Sequence, residues 1–381
     1  NSLIHWIQLS SNMDIIIYLT LGLLLYYFGM ILWFIAGNLF SDSKGNSKDT
    51  PAISVIIAIR NGEKSLPNLI ENLSAQDYLG EVEFILVDDE STDSTGKIIQ
   101  EISATDKRFI IENSSNGNPS LSHKKRALDA GINGAKNEWL LFTDVDCRLD
   151  SGWVAGMASY FEDDVDYVVG YSEVDRGKKW VTRFQALDFL MLMIAARGTT
   201  NSGRAWASTG QNQAYRKSLF NSVGGFTQIA KELQGDDSLF LQICRNYKSA
   251  NILFADKPSC RTISRQETSW FSFFKQRMRW AGDANLMWKF NPVFFLSILV
   301  TFLLPLLLLV TLFAGLFYNP YYLTTFTKFF SIHLIIEFIL YFVGIRQFNK
   351  QIQVLDFAFW FIIHIPYIVC MGIGSFFANQ L

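Results

Sequence analysis

A chain of 381 residues has room for one sizeable α/β domain and further elements around it. Its net charge of -2 argues against nucleic acid as a partner, and a hydrophobic share of 50% beside 18% charged residues points to lipid. The four cysteines (Cys147, Cys244, Cys260 and Cys370) form no CxxC pair and the four histidines are scattered, so neither a zinc site nor a disulfide framework is implied.

In chain order, Ile15 to Gly37 is an almost continuous apolar run. At about 1.5 Å per residue it can cross a bilayer core of about 30 Å. It is too long for a signal-peptide core and no basic stretch precedes it, so it reads as a retained anchor. The chain begins at Asn1 without Met, which leaves room for a natural start upstream. Lys44 and Lys48 follow the run while the N-terminal flank has no Lys or Arg, which puts the following domain in the cytoplasm. Residues 1–50 are thus an anchor plus a polar linker, Ser41–Thr50.

Residues 51–263 read as a cytosolic α/β domain. Ile53–Ile59, Val82–Val87, Arg108–Glu112 and Glu138–Thr143 are short β-branched or apolar runs that predict strands. Lys64–Ser74, Asp93–Ile102 and Ser122–Ala135 between them predict helices. This alternation argues a doubly wound parallel sheet, which binds ligands at the carboxyl ends of its strands. Beyond Asp163 the alternation is less clear; Trp180–Ala196 reads as an amphipathic helix near the membrane. Residues 264–292 mix Trp270, Phe271, Phe273, Phe274, Trp280 and Trp288 with basic residues, as a helix at a lipid interface does. Residues 293–381 hold three more apolar runs, about Phe294–Tyr318, Phe329–Ile345 and Leu355–Phe377. Lys275, Arg277, Arg279 and Lys289 precede the first, and Arg346 and Lys350 separate the last two. Both fit cytoplasmic loops of a multi-pass cell-membrane protein with its C-terminus outside; Lys328 is a minor exception.

Four polar signatures carry the chemistry. Asp144 and Asp146 flank Val145 at a predicted strand end. In extended backbone, side chains two apart share a side, which makes a hard oxygen site for Mg²⁺ or Mn²⁺. An isolated pair of this kind is more often a solvated loop, but here a predicted buried strand precedes it. Asp88 and Asp89 close the strand VEFILV, where a carboxylate can accept from a nucleobase N–H or a ribose hydroxyl; turn chemistry is the alternative. Arg60-Asn61-Gly62 ends the first strand, and Asp93 reads as a helix cap. Lys124 and Lys125, near a helix start, can bring positive charge to a phosphate, although a solvated helix face suits one of them equally. Asp237 suits a general base, with Asp236 supporting it or capping a helix; both acids serving as caps is the plainer reading. Gln276, Arg279 and Trp280 share a helix face, with Arg279 suited to a leaving diphosphate and Trp280 to a sugar ring. An interfacial helix that merely anchors accounts for Arg277 and Trp270. His333 and Glu337, four apart inside a predicted span, read as a mutual hydrogen bond that packs two helices.

The segments VIIAIRNGE, VDDESTD, SHKKRALDAGI, TDVDC, GQNQAYRK, GGF, GDDSL and QRMRW resemble those of the membrane-embedded family 2 glycosyltransferases of GT-A fold, over about Pro51 to Trp280. The resemblance implies an inverting transferase that uses a UDP-sugar with Mg²⁺ or Mn²⁺. It implies that Asp88 and Asp89 contact the nucleoside, with Arg60, Lys124 and Lys125 also on the donor side. Asp144 and Asp146 hold the cation and diphosphate, and Asp237 is the base beside Asp236. Gln276, Arg279 and Trp280 close the donor site, while Gly210, Gln211, Asn212 and Trp280 line the acceptor side. Relatives usually carry Glu where this chain has Asp236. Four spans are few for a wide glycan channel. Either a partner membrane subunit completes one, or the acceptor is a lipid whose head reaches the site from the bilayer. Resemblance to poly-N-acetylglucosamine synthases and to ceramide or carotenoid glucosyltransferases is equally close, so a lipid or a glycan is the expected acceptor. The alternative is a non-catalytic membrane adaptor that keeps a nucleotide-sugar-binding fold.

Overall fold

The computed structural model describes residues 2–40, 45–247, 250–351 and 353–375, with side chains from residue 15 onward except at 283. Residues 41–44 of the linker, Lys44 among them, and the end of the last apolar run at Phe377 lie outside the described residues. The chain divides into two compact units. The sheet unit comprises Phe40–Lys178 and Ala195–Gln266; the helical unit comprises Asn1–Leu39, Lys179–Ile194 and Glu267–Leu381.

The strands are β1 (Ile53–Ile59), β2 (Val82–Asp88), β3 (Phe109–Asn113), β4 (Trp139–Phe142), β5 (Cys147–Leu149), β6 (Tyr167–Gly170), β7 (Ser172–Val174), β8 (Gln213–Arg216), β9 (Ile252–Ala255) and β10 (Thr262–Ser264). Seven of them form one sheet in the order β3-β2-β1-β4-β8-β6-β9, and β5-β10-β7 form a small second sheet. In β1 the side chains of Ile53, Val55, Ile56, Ile57 and Ile59 are wholly buried. Each contributes about 1.5–3 kcal/mol, and burial on both faces is why the run is continuously apolar rather than alternating. The expected parallel arrangement is found in β3-β2-β1-β4. β8 departs from it by running antiparallel to β4 and to β6, so the sheet is mixed. The helices of this unit are α2 (Leu66–Ser74), α3 (Thr95–Thr105), α4 (His123–Gly134), α5 (Trp153–Ala158), α7 (Lys217–Ser222) and α8 (Ser238–Asn246). α2 shows how they form: Leu66, Leu69 and Leu73, at helical spacing, bury one stripe against the core, and Pro67 occupies its first turn.

The helical unit contains α1 (Ser2–Leu39), α9 (Trp270–Ala284), α10 (Met287–Phe290), α11 (Pro292–Phe317), α12 (Pro320–Gln347) and α13 (Val354–Gly374). α6 (Trp180–Asn201) extends five residues past its predicted end, and its residues up to Ile194 belong to this unit. Among the described residues four helices are long and apolar enough to cross a membrane: Ile15–Leu39 of α1, and α11, α12 and α13. The second C-terminal run begins at Pro320, nine residues before the predicted start, because Asn319 caps the helix through the backbone N–H of Tyr321.

Several charged groups inside this unit meet an opposite charge or a hydroxyl. His333 and Glu337 lie 3.7 Å apart on the same helix, so their pairing does not itself join two helices. The bond between helices comes from the Tyr27 hydroxyl of α1, which donates to Glu337. Arg183 of α6 pairs with Asp356 of α13. Arg277 of α9 lies 3.1 Å from Asp188 of α6.

Candidate active site

β1, β2 and β4 are parallel neighbours, so their carboxyl ends open on one edge of the sheet. Arg60-Asn61-Gly62 leaves β1, Asp88 ends β2 with Asp89 next to it, and Asp144 to Asp146 leave β4. The first two loops are stitched together. The Asn61 side chain accepts from the Thr92 N–H at 2.8 Å, and the Gly62 N–H donates to the Thr95 hydroxyl at 2.8 Å. The Asp89 N–H donates to the carbonyl of Ile59 at 2.8 Å. Arg60 is exposed and stands 3.9 Å from the Asp89 carboxylate. Asp93 does serve the start of α3, accepting from the Thr95 N–H at 3.0 Å, although Ser94 holds the cap position. That bonding to Thr95 holds its carboxyl below the usual range.

The β4 end differs from the extended backbone expected. Val145 and Asp146 form a tight turn, closed by a Cys147 N–H bond to the Asp144 carbonyl at 3.1 Å. The two carboxylates are therefore presented from a turn, with Asp146 exposed and Asp144 half-buried. Burial, followed by the charge of Asp144, pushes the Asp146 carboxyl up to about 6.

Asp236 and Asp237 arrive by a different route. Gly235, at φ +104°, takes a conformation that side chains rarely adopt, and a Cβ there would meet Leu239 at 2.7 Å. Gln213, buried on β8, donates to the Asp236 carbonyl at 3.1 Å and fixes this loop. Asp237 is the cap of α8, accepting from the Ser238 N–H. The capping role considered for Asp236 thus falls to its neighbour. Desolvation, then Asp236, pushes the Asp237 carboxyl up to about 6, against the pull of N–H groups from Ser238 and Gly210 and of Lys124.

Lys124 joins the two groups of acids. Its ammonium lies 2.7 Å from Asp144 Oδ1 and 3.1 Å from Asp236 Oδ2. Burial works against its charge, but Asp144 and Asp236 hold it well above its ordinary value. Neither lysine forms a solvated helix face. Lys125 is buried and donates to the carbonyls of Glu232 and, at 2.9 Å, Gln234, so it holds the loop rather than a phosphate.

On the expected acceptor side, Gly210 packs against the Lys124–Asp236 pair. Asn212 is wholly buried; it donates to the carbonyls of Tyr171 at 2.8 Å and Cys260 at 2.7 Å and accepts from the Trp153 indole at 3.1 Å. Its side chain is spent on the fold. Gln211 keeps a buried Oε1 without a hydrogen-bond partner. Gln276, Arg279 and Trp280 lie on α9 in the helical unit. There Arg279 is exposed, whereas Arg277, assigned to an anchoring surface, is buried with its guanidinium 4.1 Å from the centre of the Trp280 ring. One face of Trp280 therefore already carries a cation.

Sequence reasoning also missed strain. Asn61, Glu90 and His123 have φ of +52°, +55° and +54°, each next to an expected site residue. Such backbone concentrates at functional sites. Asn61 carries a faint signal, because Asn tolerates this region; Glu90 and His123 carry none.

A divalent cation suits this donor set. Among the described residues no group of three or more His, Cys, Asp or Glu is placed to hold a metal ion, and Asp144 and Asp146 are the two carboxylates that follow β4. Mg²⁺ and Mn²⁺ accept such a pair and complete their shell with phosphate oxygens and water.

Residues 54–224 match the model of glycosyl transferase family 2. The chain carries a family 2 glycosyltransferase domain. The 4,4'-diaponeurosporenoate glycosyltransferase of Staphylococcus haemolyticus is 37% identical over 110 residues, which is 29% of this chain and 28% of that protein. The undecaprenyl-phosphate 4-deoxy-4-formamido-L-arabinose transferase of Proteus mirabilis is 28% identical over 174 residues, 45% of this chain and 51% of that one. The chain thus spans about half or less of these two relatives. A mannosyltransferase from Pyrobaculum calidifontis, solved with GDP-Man and Mn²⁺, matches 95% of this chain and 99% of its own at a TM-score of 0.61 and 15% identity. That likeness is one of fold, and the glycosyltransferase domain has the GT-A architecture.

Proposed function

We propose that the chain is a membrane-anchored inverting glycosyltransferase. It transfers a sugar from a UDP-sugar to a lipid or glycan acceptor at the cytoplasmic face of the cell membrane. The observation that carries this reading is the gathering of Asp144 and Asp236 about one ammonium, with Asp146 and Asp237 beside them, in a family 2 domain. Asp237, with its carboxyl near 6, is poised to take the proton of an acceptor hydroxyl at neutral pH. The oxygen then attacks C1 of the sugar from the face opposite the departing nucleoside diphosphate, which inverts that carbon. Asp144 and Asp146 would hold a divalent cation, which supplies Lewis-acid charge to the diphosphate when bound. Asp88, Asp89 and Arg60 take the nucleoside side. Gln276, Arg279 and Trp280 keep the donor-closing part that the resemblance implies.

The membrane part of the reading rests on the four apolar helices and on the basic residues Lys48, Lys275, Arg279, Lys289, Arg346 and Lys350 at the flanks assigned to the cytoplasm. A lipid acceptor agrees with the 4,4'-diaponeurosporenoate and undecaprenyl-phosphate that the relatives' names state. The test supplies the purified full chain with UDP- and GDP-sugars, membrane lipids and glycans, with Mn²⁺ or Mg²⁺ present. Transfer with inversion is expected; no transfer or hydrolysis of any donor would overturn the reading. Unchanged product in cells that carry Asp146→Ala would favour an adaptor instead.

A further inference from the structure

We propose that Lys124 is a built-in counter-ion that occupies the Asp144 side of the cation site until a nucleoside diphosphate draws it away, so that cation and donor load together. This rests on the glycosyltransferase reading of the same site.

The ammonium of Lys124 reaches two carboxylates from separate elements, Asp144 on the turn after β4 and Asp236 on the loop before α8. At 2.7 Å it takes an oxygen of Asp144, one of the few hard donors a divalent cation has here. An ammonium and a doubly charged ion on the same carboxylate repel strongly at such separations. The ion alone must therefore displace a charge that Asp144 already satisfies.

Gly210 lies so close to the ion pair that a Cβ there would meet Nζ at 2.9 Å and Asp236 Oδ2 at 3.1 Å, so glycine leaves the ammonium its room. The Lys124 side chain as a whole keeps 37% of its surface exposed. Lysine is a point charge on a flexible stem, able to turn to a new anion without moving its helix. A diphosphate provides that anion. It gives the ammonium new oxygens, frees Asp144, and supplies the remaining ligands of the cation in the same event. Asp236 remains within reach of Lys124, so loading at Asp144 also alters the charge beside Asp237.

The experiment titrates MnCl2 into the full chain in detergent, with and without UDP, and reads affinity by calorimetry and by the Mn²⁺ paramagnetic signal. In Lys124→Gln, Mn²⁺ alone should bind about tenfold tighter or more, the scale expected from removing one nearby positive charge. The extra tightening given by UDP should shrink. Lys124→Arg keeps the charge and should keep Mn²⁺ alone weak. Equal Mn²⁺ affinity in the wild type, Lys124→Gln and Lys124→Arg would overturn the proposal. If Lys124→Gln does not fold, Lys124→Met, of similar length, replaces it. If neither folds, the wild type decides: Mn²⁺ bound as tightly alone as with UDP overturns the proposal, and a requirement for UDP supports it. A wild type that transfers sugar while showing no Lys124 effect defeats this inference alone. A protein that binds neither nucleotide nor sugar defeats the reading beneath it.

Discussion

In the helical unit Arg277 faces Asp188, Arg183 faces Asp356, and Glu337 receives a hydrogen bond from Tyr27, so each buried acid has its own partner. On the rim of the sheet unit Asp144 and Asp236 share a single ammonium, and Asp146 and Asp237 lie within its influence. The residue types are the same; the stoichiometry of charge differs. A pair of opposite charges of this kind neutralises itself, and breaking it by removing one partner strands the other. A group of acids that is desolvated, and then crowded with like charge, keeps carboxyls above their usual range and stays receptive to a cation or a proton.

The sharpest test of this contrast is Asp237→Asn. It should lower transfer by about a hundred- to ten-thousand-fold while nucleotide binding stays nearly intact. Steady-state rates and UDP calorimetry check both, and joint loss would move Asp237 to the structural side of the comparison. On that structural side, Arg277→Met should cost about 3 kcal/mol, because it strands Asp188 in a buried place. Thermal unfolding in detergent reads the loss, and the paired Arg277→Met/Asp188→Leu variant should recover most of it. Asn212→Ala should cost about 1–3 kcal/mol by leaving buried carbonyls unmet, with little change in the KM for acceptor. A large KM change with full stability would instead return Asn212 to the acceptor side.

The smallest effect is in pH. With Asp237 near 6, kcat/KM should rise as pH increases through about 6, when the base loses its proton. Stability should move the other way. Asp146 and Asp237 sit above the ordinary carboxyl value of 3.8, so between about 4 and 6 the folded chain holds protons that the unfolded chain releases. Stability therefore falls as pH rises across that window. Denaturant unfolding at pH 4.5 and 7 in Asp237→Asn, where that part of the slope should vanish, isolates the Asp237 contribution.

Much of this was legible in the residues. β1 coincides with its apolar run, and β2, β3 and β4 lie within a residue of theirs, because strands buried on both faces leave an unbroken signature. Asp88, Asp89 and Asp144 were placed because polar residues directly after such runs emerge at one sheet edge. The direction of β8 was not legible: Gln213–Arg216 is short, and its pairing depends on strands distant in sequence. Nor did sequence distinguish Lys124 from Lys125, or foresee that Arg277, assigned to an anchoring surface, is the buried arginine while Arg279 is exposed. In each case near-identical side chains leave the helix in directions that differ by about 100° per residue, and only the packed neighbours decide which direction is buried. Asn212 misled for a related reason, since a polar residue beside Gly210 and Gln211 looks available until its three buried partners are known.

The left-handed backbone at Glu90 has a practical consequence for anyone seeking a hardier form of the protein. Its side chain is exposed, so it contributes little packing to offset a conformation that costs an ordinary residue roughly 1 kcal/mol. Replacement by Asn or Gly is an economical place to start thermostabilisation. A hardier variant that turns over more slowly would reveal that natural selection has kept this loop tense for the sake of rate.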